Sequence, residues 1–320
     1  MTNKIKNKGH RIFDITGTAY AFIAMTLIVC IIAFIIIVCA KDGYKVLSFK
    51  FLTSAPNASA RASDFQEESG GILTPLVGTM ILTIIGTVIA FPFSLATAIY
   101  LTFYAKKGVF KTLVKTAVDI LAGVPTVVIG LFALVIFTLP QMGFLSTLIE
   151  GVEGTNRAFG RSFLVAGITM AIMILPFVIK SMEEALKTVP TSYIDAAFAL
   201  GASKWRTIYK VVLNAARNGL MTGVILGMGR IIGDTAIVWL ALGGSIRMSG
   251  PKPWYMPNNW LATLQGSGST LTSYIFYASP AGEGNKYDVA FGASLVLIAI
   301  IIILNVAVSI IGRVGAQKHE

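Results

Sequence analysis

Residues 190–206 read Pro190-Thr191-Ser192-Tyr193-Ile194-Asp195-Ala196-Ala197-Phe198-Ala199-Leu200-Gly201-Ala202-Ser203-Lys204-Trp205-Arg206. This polar stretch lies between two apolar runs, 162–180 and 218–242. Crossing a bilayer takes about 20 apolar residues, because roughly 30 Å of hydrocarbon is spanned at about 1.5 Å per residue. Up to Leu200 the small and apolar side chains suit one side of a short helix. Gly201 can take a positive φ and fold the chain back. Lys204, Trp205 and Arg206 then open a basic second segment. The expected product is a compact helical knob held between two spans. A pore or carrier has no internal need of such a knob, whereas a separate engine docking on it would require one. The same residues also suit a basic amphipathic helix lying on the inner leaflet, and spacing alone leaves both readings open.

Working outward, the 320-residue chain is 55% hydrophobic and 13% charged, with a mean hydropathy of +0.76. That balance is too apolar for a soluble domain and places the chain among integral membrane proteins. Six segments are long enough to cross: 17–40, 72–104, 113–139, 162–180, 218–242 and 289–311. The expected architecture is an all-α membrane protein of six spans. It divides into a tail 1–16, a first span 17–40 with a loop 41–71, a core of five spans over 72–311 carrying the loop 181–217, and a tail 312–320. The first span exceeds the length of a signal-peptide apolar core and lacks an A-x-A cleavage pattern, so it reads as a retained anchor. Cys30 and Cys39 both fall inside it, nine residues apart, and are expected to be two buried thiols without a disulfide.

The net charge of +11 is distributed in a telling way. With both termini inside, 16 of the 26 Lys and Arg residues lie on the cytoplasmic side and nine in the outer loops. This positive-inside bias sets both ends in the cytoplasm, so the basic balance reports orientation and not a nucleic-acid partner. The third outer loop, about 243–288, carries Trp254, Tyr255, Trp260, Tyr274 and Tyr277. Such aromatics suit a membrane–water interface, or a plug or docking surface for an outer partner.

The remaining cation, Arg230, falls about twelve residues into its span, about 18 Å deep and near mid-bilayer. A charge there is costly and usually faces a polar cavity or a partner. If the helix runs on, Asp234 at i+4 lies beside it on one face. The pair reads either as an ion pair cementing helices or, with Thr235 next to it, as part of an anion translocation path in which the arginine fork meets an oxyanion. Lys115 and Asp119 repeat the spacing and are expected to form a structural pair. In Leu121-Ala122-Gly123-Val124-Pro125-Thr126-Val127-Val128-Ile129-Gly130, Gly123 removes bulk and Pro125 removes a hydrogen bond, so a helix bend is expected there, with Gly130 permitting close helix contact.

The spacing Asp195-Ala196-Ala197, three residues, Gly201, nine residues, Val211-x-Leu213 resembles the EAA loop of ABC importer permeases, whose pattern is E-A-A-x3-G-x9-I-x-L-P. It departs at Asp195 for Glu, Val211 for Ile and Asn214 for Pro. The likeness extends over most of the chain. Gly70-Gly71-Ile72, Pro75–Thr79, Leu121–Gly130, Glu183-Glu184-Ala185-Leu186 and Gly229–Ala236 look like the phosphate importer permeases, with Asp234 where that family usually has Glu. Leu47–Leu52 and Ala262-Thr263-Leu264 with Ile275–Ala278 look like the PstA type. The resemblance implies a type I (MetI-like) permease fold. It also implies that Asp195, Ala196, Ala197, Phe198, Gly201, Trp205 and Arg206 insert into a cleft of an ATPase subunit. Implied partners are two ATPase subunits, a second permease of the PstC type, an extracytoplasmic phosphate-binding protein and the lipid bilayer, with no nucleic acid. Implied localisation is the cytoplasmic membrane of a prokaryote.

The chain has no Gly-x4-Gly-Lys-Ser/Thr sequence, no Gly-x-Ser-x-Gly elbow and no His/Cys cluster, with His10 and His319 in the tails. No catalytic role and no metal or cofactor of its own are expected, ATP and Mg belonging to partner subunits. Two competing readings are a self-contained anion carrier coupled to H⁺ or Na⁺ and an ABC permease for another oxyanion or a phosphonate. The carrier would be supported by an inverted repeat of broken helices, which the sequence does not display. Arginine and helix termini favour sulfate, molybdate or phosphonate as readily as phosphate.

Overall fold

A computed structural model describes residues 2–56, 70–106, 108–146, 160–244, 256–282 and 286–316. The described residues are overwhelmingly helical. Helix α1 spans Thr2–Gly43, and α2 is a single turn, Phe49–Thr53. Helix α3, Leu73–Ile99, continues through a π-helical turn, Tyr100–Tyr104. Helices α4, Val109–Gly123, and α5, Thr126–Phe137, meet at a bend of 99°. Helix α6 is Phe163–Lys187, followed by α7, Thr191–Ala199. Helix α8, Lys204–Thr207, passes through a second π-turn, Ile208–Val212, into α9, Leu213–Ala215. Helix α10 is Arg217–Gly233, and a third π-turn spans Val238–Leu242. Helices α11, Trp260–Gln265, and α12, Leu271–Ala278, precede the last, α13, Tyr287–Ala316.

Four of these are long and apolar enough to cross a membrane: Thr16–Gly43, Leu73–Tyr104, Phe163–Lys187 and Tyr287–Val306. The count reaches six when α4 with α5, and Lys204–Ala215 with Arg217–Gly233, are each taken as one bent span. The bend between α4 and α5 follows from local chemistry. Pro125 clashes with a helical preceding residue, and Val124 is accordingly extended at φ −73°, ψ 127°. Gly123 contributes less than expected, because a Cβ added there meets nothing within 4 Å.

Helix α6 is the centre of the bundle. Phe163, Met170, Met173, Ile174, Met182 and Leu186 are all buried along it. Lipid offers no hydrophobic drive for helices to associate, so close packing of small residues must hold them. The seam with α10 shows how. Gly219, Gly223 and Gly227, four apart on one face, lie against Ala185, Ser181 and Val178 of α6 in antiparallel register. A Cβ on Gly227 would come within 2.8 Å of Val178 Cγ2 and 3.1 Å of Ile174 Cδ1. On the other side, Gly86 of α3 leaves room for Ile231 of α10, whose Cδ1 sits 2.8 Å from where a Cβ would be. A second core joins α2, α12 and α13 through Phe51, Leu271, Tyr274, Val289 and Ala293.

Several expectations change. The segment 218–242 is not one helix; it breaks at Asp234, an extended residue that closes α10. Cys30 is exposed and Cys39 half-buried, both free. They lie on α1, whose apolar face turns away from the rest of the chain, so the expected burial does not occur. The loop 243–288 contains α11 and α12, the latter held by a capping box between Thr270 and Ser273. Tyr274 is buried there, while Trp260 is exposed; Trp254 and Tyr255 lie outside the described residues.

Overfilling the glycine seam costs about 1–3 kcal/mol per site when neighbours cannot retreat. Gly227→Leu is therefore expected to lower the melting temperature of the detergent-purified protein by several degrees. Gly229→Ala, where a Cβ meets nothing within 4 Å, should leave it unchanged.

Candidate functional site

Three helix interruptions come together deep in the bundle. The seam carries Arg230, in the last turn of α10, to Met173 and Phe177 of α6, either side of Pro176. Its Nε donates to Met173 Sδ at 3.2 Å, and its guanidinium carbon lies 3.7 Å from the Phe177 ring centroid. A guanidinium over an aromatic face is stabilised by the ring quadrupole, here modestly, because Arg230 is exposed. Among the described residues, no carboxylate lies within 4 Å of this cation.

Asp234 does not share a helix face with Arg230 as the i, i+4 spacing predicts. The helix has ended, and the Asp234 carboxylate caps the next turn, accepting the Ile237 N–H at 2.8 Å. This is ordinary N-cap chemistry for aspartate. The Thr126 side chain, first in α5 after Pro125, faces the same carboxylate. The Asp234 carbonyl accepts Thr272 Oγ1 at 3.1 Å. Thr235 continues the break, its carbonyl accepting the Trp239 N–H at 3.1 Å. Gly130 keeps α5 close to the resumed helix, with Leu240 Cδ1 2.8 Å from where its Cβ would be. The break in α4–α5, the end of α10 and the capped start of α12 are thus tied at Asp234.

On the hairpin side of the bundle, α4 is strapped to α6. Lys115 Nζ lies 3.4 Å from Glu183 Oε1, which also pairs with Lys187 at 2.8 Å, and Lys180 reaches Asp119 at 2.6 Å. Lys115 and Asp119 therefore pair across the helices and not with each other.

The hairpin takes the expected form. Leu200 ends α7, Gly201 has φ +76°, the Gly201 N–H reaches Phe198 O at 2.9 Å and the Ala202 N–H reaches Ala197 O at 3.0 Å. That pair of bonds is a Schellman motif, which requires the left-handed residue glycine supplies without strain. Ser203 Oγ then caps α8. Ala197 is buried as the seat of the hairpin, while Asp195, Ala196, Phe198, Gly201, Trp205 and Arg206 are exposed. Leu200 is 90% exposed and Trp205 60%, an apolar tip that no described residue covers. Asn214, where the EAA pattern has proline, donates its side-chain N–H to Lys210 O at 2.7 Å, satisfying a carbonyl of the π-turn ahead of the 71° bend.

With this geometry in view, the comparison with known families is direct. Residues 90–318 match the family model of the binding-protein-dependent transport system inner membrane component. The chain belongs to that family. It is 31% identical over 257 residues to a Xylella fastidiosa phosphate transport system permease protein PstC, covering 77% of this chain and 74% of that protein. It is 29% identical over 255 residues to PstA 1 of Mycobacterium tuberculosis, covering 80% and 74%. Its fold is that of the family in solved structures. The inward-facing MetNI methionine ABC transporter superposes with a TM-score of 0.54 at 17% identity, over 75% of this chain and 94% of that one. A bacterial alginate ABC transporter in complex with a pentasaccharide-bound periplasmic protein gives 0.59 at 15% identity, over 90% and 91%.

The residues that sequence reasoning missed are those supplied by other helices. Met173, Phe177 and Thr272 carry no local signal. The seam Gly219-x3-Gly223-x3-Gly227 was also missed, although its small-residue repeat is the signal that could have found it. Glu183, with its side chain 10% exposed and serving two cations, should matter more than Asp119, 63% exposed. Glu183→Gln is expected to cost about 1–2 kcal/mol, since it removes the near-buried carboxylate that two half-exposed lysines share through charge-assisted bonds. Asp119→Asn should cost less than about 0.5 kcal/mol, as exposed pairs do. Urea titration of the detergent-solubilised variants separates the two.

Proposed function

We propose that this chain is the membrane-spanning permease subunit of an ATP-driven importer, translocating inorganic phosphate across the cytoplasmic membrane of a prokaryote. The observation that carries the reading is the hairpin: an exposed apolar tip, held by a Schellman turn, at the end of the most buried span of the bundle. A surface like that pays off only when a partner covers it. The partners are two ATPase subunits, which hold the ATP and Mg, and this chain contributes a rigid lever and no catalytic group. The positive-inside bias puts the hairpin and both termini in the cytoplasm. Phosphate is supported by relatives named as phosphate permeases over three-quarters of the chain. Those relatives include both paralogues; Leu47–Leu52 and Ala262–Ala278 favour the PstA type, with a PstC-type second permease completing the path. An extracytoplasmic binding protein delivers the anion.

Within the path, Arg230 is the anion contact. The thioether and the ring hold it without neutralising it, so the guanidinium fork stays available to an oxyanion. Asp234, four residues on, opposes the anion and keeps it from being held too firmly. Alternating access then follows from hinging at the three breaks, as the hairpin moves with the ATPases.

Two outcomes are expected. Gly201→Val, which forces a branched side chain into φ +76°, should cause the ATPase subunits to be lost on affinity purification in mild detergent, with the second permease retained. Arg230→Ala should leave the complex assembled and abolish ATP-dependent phosphate uptake into proteoliposomes. Normal uptake by that assembled variant would remove Arg230 from the path.

A further inference from the structure

Lys204 opens α8 just before the exposed Trp205, and its exposed side chain reaches the end of the long helix Leu73–Tyr104. Its Nζ donates to the carbonyl of Phe103 at 2.5 Å and lies 4.5 Å from the centroid of the Tyr104 ring. Phe103 and Tyr104 belong to the π-turn that ends the rod Leu73–Tyr104. The last carbonyls of a helix have no partner within it and gather its negative dipole end. Lys204 caps that end across 101 residues of sequence.

The rod has a second attachment near its other end. Thr79 Oγ1 accepts the N–H of Leu271, first residue of α12, at 2.9 Å. The next residue, Thr272, donates to the carbonyl of Asp234 at 3.1 Å. Thr79 and Phe103 are separated by about 36 Å of helix at 1.5 Å per residue. One continuous helix, with Pro92 inside it, therefore joins the root of the hairpin to the break beside Arg230.

We propose that Lys204 is the positioning residue that passes movement of the hairpin to α3, and through α3 to the Asp234 break. This rests on the importer reading above. A lysine suits the task. Its ammonium is a point charge with three donors on a flexible stem, so it holds a carbonyl and a ring while the two elements rotate against each other. Any replacement that keeps the charge and reach should work.

The test uses the assembled transporter with its binding protein in proteoliposomes, reading phosphate uptake and ATP hydrolysis in the same vesicles. Lys204→Met keeps the stem and removes the charge; because the side chain is exposed, the Phe103 carbonyl is left to water and folding is spared. The ATPase subunits should still co-purify and hydrolyse ATP within about twofold of wild type, while phosphate moved per ATP falls at least about fivefold, the scale of a modest coupling free energy. Lys204→Arg should restore the ratio. A Lys204→Met complex with the wild-type ratio would overturn the proposal. So would loss of the ATPase subunits from that variant, which would make Lys204 a docking contact. A wild-type complex that moves no phosphate on ATP would instead overturn the importer reading itself, and the role of Lys204 with it.

Discussion

Everything in this molecule is hung on the antiparallel seam between α6 and α10. In lipid, two apolar helices gain little from meeting unless their backbones come close, and three glycines on one face of α10 let them do so. The seam fixes the rotation of α10, and that rotation points Arg230 at Met173 and Phe177. It also sets the height at which α10 stops, and so the place of Asp234 among α5, α12 and the third π-turn. Arg230 stays exposed, with a thioether and an aromatic ring against its guanidinium.

The hairpin was the most legible part of the chain, because its features are local. Gly201 must be left-handed, Ser203 must cap, and Ala197 must be small, whatever the rest of the fold does. Four of the six apolar segments were legible for the same reason, length and composition sufficing to mark a candidate crossing, while 113–139 and 218–242 turn out bent or interrupted. The charged pairs were not. Reading Arg230 with Asp234, and Lys115 with Asp119, assumed that each helix continues and that the neighbour four residues away is the best partner. Asp234 instead ends its helix by capping the next turn, and Lys115 finds Glu183 on another helix. Spacing gives the candidates on one face; packing chooses among them, and packing is set by residues far away in sequence. Helices α11 and α12 escaped notice because eight residues or fewer carry too little periodicity, and the Thr270–Ser273 box that starts α12 looks like ordinary loop composition.

The two ends of the molecule have opposite chemistry. On the hairpin side, α4 and α6 are joined by ion pairs and the hairpin offers an apolar tip. Around Thr79, Thr270, Thr272 and Ser273, the joints are hydroxyl-to-backbone bonds. Hydroxyl bonds are directional and individually weak, so they keep a capped helix in register while allowing it to part from its neighbour. Half-exposed ion pairs thus join the helices near the hairpin, and hydroxyl bonds join them near the Asp234 break.

The three π-turns carry one residue more per turn than the helices around them. That surplus is topological. Where both flanking helices are anchored, it cannot be expelled; it can only travel, one residue at a time, exchanging carbonyl partners as it goes. Each step turns the residue it passes by about 100° about the axis while leaving the helix unbroken. Of the three, Ile208–Val212 has helix on both sides and stores slack in this way, whereas Tyr100–Tyr104 and Val238–Leu242 close their helices at Ala105 and Gly243.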